Sequence, residues 1–150
     1  MDKTLKKRTI LGVILLVSIF LTLNFIFSNS FEPTEESLEK SNWVLEKVEP
    51  ALEKVVGEEN VTTKLVRKLA HFFEFFLLGT ELVLLCTLYG IDKIYAAFVG
   101  LLAAVTDETI QIFSERGSQL TDVLIDFGAV LTALVILVMG EKLLDFFKSR

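Results

Sequence analysis

The chain has 150 residues, 52% of them hydrophobic and 13 of them Phe, with a formal net charge of -5. A length of this size makes one domain, and in water its core would be too small to hide so much Leu, Ile, Val and Phe. The acidic balance and the lack of a basic tract argue against a nucleic-acid partner. Cys86, the single cysteine, excludes an internal disulfide or a cysteine-built metal centre.

The first apolar run is Ile10 to Phe27, with Lys3, Lys6, Lys7 and Arg8 before it. It is longer than a usual signal-peptide core, and Ser28-Asn29-Ser30 makes a poor cleavage site, so a retained spanning helix is expected over about 10–27. Residues 29–66 differ in kind, with nine Glu between Glu32 and Glu59. Within them Trp43, Val44, Val48, Ala51, Leu52, Val55 and Val56 recur at helical spacing. That pattern predicts an external amphipathic helix over about 37–56, lying at the interface or capping the bundle, with Trp43, Val48, Leu52 and Val55 on its apolar side. Pro50 is expected to kink or end it, and Gly57 to stop it.

Three further spans follow, over about 68–89, 93–113 and 122–140. The third is cleanly apolar only to Val105 and reaches spanning length by including Asp107, Glu108 and Gln111. The fold expected is therefore an all-α membrane protein of four transmembrane helices in one domain. Basic residues at both ends and an even number of spans predict that both termini are cytoplasmic. Gly79, Gly100 and Gly128 are expected to allow close helix approach. The Phe72, Phe73, Phe75 and Phe76 cluster suits lipid contact and packing, and Cys86 suits a small buried hydrophobe.

Charges in lipid cost several kcal/mol, so their placement is informative. Arg67, His71, Glu74 and Glu81 share one helical face, Asp107 and Gln111 are four apart, and Asp122 and Asp126 are four apart. Counted from the span ends, His71 lies about 5 Å in, Glu74 about 9 Å, Asp107 and Glu108 about 8 to 9 Å, and Asp126 about 6 Å. Three helices thus bring polar groups to one layer, external under the alternating topology. The reading is one connected site of Arg67, His71, Glu74, Asp107 or Glu108, Gln111, Arg116 and Asp126, with Asp122 beside it. Glu108 is favoured over Asp107 as the residue facing the centre. Glu81, near a helix midpoint, is expected to be protonated or to line a deeper cavity.

At these residues the sequence resembles the VanZ-like family of bacterial membrane proteins. The first block is Arg67-Lys68-Leu69-Ala70-His71-Phe72-Phe73-Glu74-Phe75, running on to Gly79. The second is Asp107-Glu108-Thr109-Ile110-Gln111-Ile112-Phe113, continuing through Arg116-Gly117 to Asp122, Asp126 and Gly128. Phe27-Ser28-Asn29-Ser30 is similar to the family's Ser-rich exit from its first helix. Phe75 stands where Tyr is frequent, and Ser114-Glu115 replaces a more usual Val-Pro. The resemblance implies a bacterial cell membrane location and an association with low-level teicoplanin resistance, and no particular chemical activity.

Three functions remain open at this level. The first is binding or modifying an anionic membrane lipid or lipid-linked envelope precursor, with Arg67, His71 and Arg116 meeting the anion. The second is an intramembrane hydrolase or transferase with His71, Glu74 and Glu108 as catalytic groups. The third is a noncatalytic scaffold. One His beside several carboxylates and Gln111 suits a divalent hard cation better than a soft metal.

Overall fold

The computed structural model describes residues 2–114 and 119–149. It is all-helical, 91% helix, with five α-helices and no strand among the described residues. They are α1 (Lys3–Phe31), α2 (Thr34–Val56), α3 (Thr63–Tyr89), α4 (Ile94–Phe113) and α5 (Leu120–Lys148), with a 3-10 turn at Glu58–Asn60. All except α2 are long and apolar enough to cross a membrane. Even α4, with 20 residues, reaches about 30 Å at 1.5 Å per residue.

Local chemistry sets the boundaries. The Asp2 carboxylate caps α1 by accepting from the Thr4 backbone N–H, and the Thr62 hydroxyl caps α3 by accepting from Leu65 N–H at 3.1 Å. The α3 helix ends at Gly90 in the left-handed region (φ 68°), while Ile91 N–H bonds back to the Cys86 carbonyl at 2.9 Å. Asp92 then accepts from Ile94 N–H at 2.9 Å and starts α4. This tight turn makes α3 and α4 antiparallel neighbours.

Side-chain pairings give the remaining directions. Ser18 meets Glu81 and Asn29 meets Glu74, so α1 runs antiparallel to α3. Lys68 meets Asp122 and Gly79 meets Val130, so α3 and α5 run parallel. The N-terminal ends of α3 and α5 therefore lie at the same end of the bundle as the C-terminal ends of α1 and α4. The α2 helix packs on α3 at that end.

The core joins Ile19 and Ile26 of α1, Phe75, Leu78, Leu82, Val83 and Cys86 of α3, small alanines of α4, and Ala129 and Val130 of α5. Gly79 lets α3 approach α5 closely, since an added Cβ would sit 2.9 Å from the Val130 Cα. At Gly100 an added Cβ would sit 2.6 Å from Val130 Cγ1. Large apolar side chains such as Phe20, Phe73, Phe98 and Met139 point outward instead. An apolar exterior is what hydrocarbon permits and water does not.

The Phe cluster divides between the two expected roles, Phe75 packing in the core and Phe73 facing outward. Three expectations need correction. An added Cβ at Gly128 meets nothing within 4 Å, so this glycine serves no close approach. The α2 helix begins at Thr34 and runs through Pro50 to Val56. Its inward face is Ser37, Ser41, Leu45, Val48, Leu52 and Val56, at three- and four-residue steps, whereas Trp43 and Val55 are 64% and 80% exposed.

Candidate polar site at one end of the bundle

The polar groups of α3, α4 and α5 cluster at the α2 end, and the end of α1 contributes to them. Asp107 is fully buried, with Oδ1 accepting from the Ser30 hydroxyl at 2.6 Å and Oδ2 from the Gln111 side-chain amide at 2.9 Å. Its Oδ2 also lies 3.7 Å from His71 Nδ1. One carboxylate thus bonds α1 to α4, with His71 of α3 beside it. In a low-dielectric interior such charge-assisted bonds are strong, and leaving any of them unmade is costly.

The other acids have separate tasks. Glu74 Oε1 accepts from the Asn29 side-chain amide at 3.1 Å, a second tie between α1 and α3. Glu108 Oε1 accepts from the Gln119 backbone N–H, just before α5 begins. Asp122 pairs with Lys68 at 3.1 Å. Asp126 is 1% exposed, and its Oδ1 has no hydrogen-bond partner among the described residues. Buried Arg67 Nε likewise has none.

Expected and observed positions differ in one instructive way. Asp107, not Glu108, faces the centre with Gln111 and His71, and Glu108 turns to the start of α5. Adjacent residues on a helix point about 100° apart, so only one of the two can face α1 and α3. Arg116 lies outside the described residues. Ser30 and Asn29 were not assigned to the site from sequence. The signal was there: Thr22, Ile26 and Ser30 recur every four residues on the buried seam of α1, which places a hydroxyl at its inner end. Glu81 forms a separate node about 15 Å deeper than His71 along α3. Its Oε1 accepts from the Ser18 and Thr22 hydroxyls at 2.5 and 3.2 Å. It therefore ties α1 to α3 rather than lining a deeper cavity.

Two cavities flank Arg67 and His71. The first, about 260 Å³, is lined by Lys64, Arg67, Lys68 and His71 of α3, Gln111 of α4, and Asp122, Ile125 and Asp126 of α5, with Leu38 of α2 at its side. The second, about 310 Å³, lies between α1, α2 and α3 and is lined by Asn29, Glu74 and the α2 serines Ser37 and Ser41, among others. Lys64 and Arg67 form no ion pair among the described residues. The N-terminal ends of α3 and α5, with their partial positive charge, lie at the same end. At the opposite end, Glu141 accepts from Lys93 at 2.5 Å and from Thr87 at 2.8 Å, which holds α5 to the turn between α3 and α4.

The comparisons with known proteins agree with the residue pattern. The model of the VanZ/LLP1 family matches residues 9–141, which takes in all four apolar helices and α2, so the chain belongs to that family. Among curated proteins and solved structures, nothing matches. Family and helices together make it a multi-pass membrane protein.

Proposed function

We propose that this VanZ/LLP1-family protein binds the phosphate of an anionic envelope lipid in the cavity between α3, α4 and α5. The observation that carries this reading is the pair Lys64 and Arg67, cations that line a cavity and have no ion-pair partner among the described residues. A half-buried guanidinium beside the hydrocarbon layer calls for an anion, and phosphate fits its planar donor set. His71 and Gln111 supply further polar contacts on the floor. A membrane phospholipid and a lipid-linked cell-wall precursor both present that phosphate next to acyl or prenyl chains, which the apolar helix surfaces accept. The site end is taken as external and both termini as cytoplasmic, from the basic residues at the two chain ends.

The catalytic alternative has less behind it. Glu74 lines the other cavity, tied to Asn29, and Glu108 is held by the backbone of Gln119, so neither carboxylate lines the cavity between α3, α4 and α5. A contribution to teicoplanin resistance rests on the family resemblance, and it follows if the bound lipid is a wall precursor.

Native mass spectrometry of the full chain distinguishes the two lipid sources. Phosphatidylglycerol, a polyprenyl monophosphate and zwitterionic phosphatidylcholine are offered in turn. Retention of either anionic lipid over phosphatidylcholine, lost in R67Q, is the expected result. Equal retention of all three, or anionic binding unchanged in R67Q, overturns the reading.

A further inference from the structure

Resting on the reading of this cavity as a ligand site, we propose that its floor holds a divalent first-row cation, Mn2+ or Zn2+, through His71, Asp107 and Asp126. One ligand atom from each lies within 4.8 Å of the other two. A single ion at roughly 2.0–2.2 Å from each atom needs only small side-chain rotations to be reached. The 3.7 Å between His71 Nδ1 and Asp107 Oδ2 is too long for a hydrogen bond. It is close to the roughly 3.3 Å that separates two ligand atoms around a tetrahedral ion.

Asp126 supplies the second, independent observation. Its side chain is 1% exposed and lines the cavity, and Oδ1 has no hydrogen-bond partner among the described residues. A buried carboxylate oxygen at this depth needs a positive charge or a proton. If both aspartates are ionised, one divalent ion cancels their two charges.

The donor set also narrows the ion. One imidazole nitrogen with two carboxylates suits Mn2+ or Zn2+ better than Ca2+ or Mg2+, which prefer all-oxygen cages, and no thiolate is near to draw a softer metal. Around Asp107 the supporting bonds are in place. Ser30 and Gln111 donate to its two oxygens and fix the carboxylate plane. Three protein ligands leave a coordination position toward the cavity. A phosphate oxygen would complete the shell there, with Arg67 meeting the remaining anionic charge.

The test titrates MnCl2, and separately ZnCl2, into the EDTA-treated full chain in detergent and phosphate-free buffer, followed by calorimetry. One ion per chain is expected. Because changes even in the supporting shell cost 10- to 100-fold, D126N and H71Q should each weaken binding by about 100-fold or more. E141Q, at the opposite end of the bundle, should bind like the unaltered chain. Failure of both ions to bind at unit stoichiometry overturns the proposal. So does unchanged affinity in D126N, which would place the ion elsewhere. If D126N does not fold, pulsed electron paramagnetic resonance of Mn2+ on the unaltered chain decides, since a 14N coupling from His71 is required. Lipid retention measured on the same samples separates the two ideas. Cation binding lost with phosphate-lipid binding kept defeats only the cation, and the reverse defeats only the lipid.

Discussion

Ser30 and Asp107 are 77 positions apart in the chain, and the Ser30 hydroxyl donates to Asp107 Oδ1 at 2.6 Å with both residues fully buried. The bond joins the end of α1 to α4, and Gln111 and His71 gather on the other oxygen. His71 and Gln111, which line the cavity, thus lie against this carboxylate.

Asp107→Ala is expected to lower stability severely, because Ser30 and Gln111 each lose an acceptor at about 1–3 kcal/mol per stranded group. Ser30→Ala removes one hydrogen bond to a charged group and should cost about 1.5–3 kcal/mol. Thermal unfolding in a fixed detergent, followed by circular dichroism, measures both. An unchanged melting temperature in Asp107→Ala would show that the carboxylate does not hold α1 and α4 together.

The two glycines of opposite surroundings should behave oppositely. Gly79→Ala places a methyl 2.9 Å from the Val130 Cα, which is backbone and cannot rotate away. The forced separation of α3 and α5 should cost about 1–3 kcal/mol. Gly128→Ala meets open space, and its better helix propensity should leave stability unchanged or slightly raised. The same melting measurement compares them, and equal losses would contradict the close α3–α5 crossing.

Arg67→Gln and Lys93→Gln should separate site from scaffold. Arg67→Gln should reduce retention of anionic lipid about tenfold or more, since a charge-assisted hydrogen bond is worth about 1.5–3 kcal/mol. Lys93→Gln breaks only the pair with Glu141, part of which is exposed, and should change stability by less than about 1 kcal/mol with lipid retention intact. Lipid retention and melting temperature are read on the same samples. Lipid loss of equal size in both variants would indicate a nonspecific effect of charge.

Topology is checked by cysteine labelling in a Cys86→Ala background, where the buried native thiol no longer interferes. Glu58→Cys should react with a membrane-impermeant maleimide on intact cells. Ser149→Cys should react only after permeabilisation. The reverse pattern would place the cavity on the cytoplasmic side.

How much was legible beforehand follows from which forces are local. Spans were readable because hydropathy over about 20 residues depends only on nearby sequence. The convergence of α3, α4 and α5 polar groups on one layer was also readable, since helix rise turns residue number into depth. Choosing between Asp107 and Glu108 was not, because depth is shared by neighbours and azimuth depends on what each helix packs against. Trp43 shows the same limit: periodicity grouped it with Val48 and Leu52, yet docking on α3 selected the face that carries Ser37 and Ser41.

The sequence by itself determined that this chain builds four apolar helices with an acidic amphipathic helix between the first two. It also determined that His71, Glu74, Asp107, Glu108 and Asp126 lie near one end of them. Only the tertiary structure decided their partners: Ser30 for Asp107, Asn29 for Glu74, the Gln119 backbone for Glu108, and Ser18 with Thr22 for Glu81. Three of the four depend on how far α1 is turned against α3 and α4, and the other on where α4 meets the start of α5. The rotation of α1 is limited by close contacts such as Gly12 against Tyr89, which pair residues 77 positions apart. Burial of a carboxylate in lipid demands that some donor be found, and packing geometry alone selects which one.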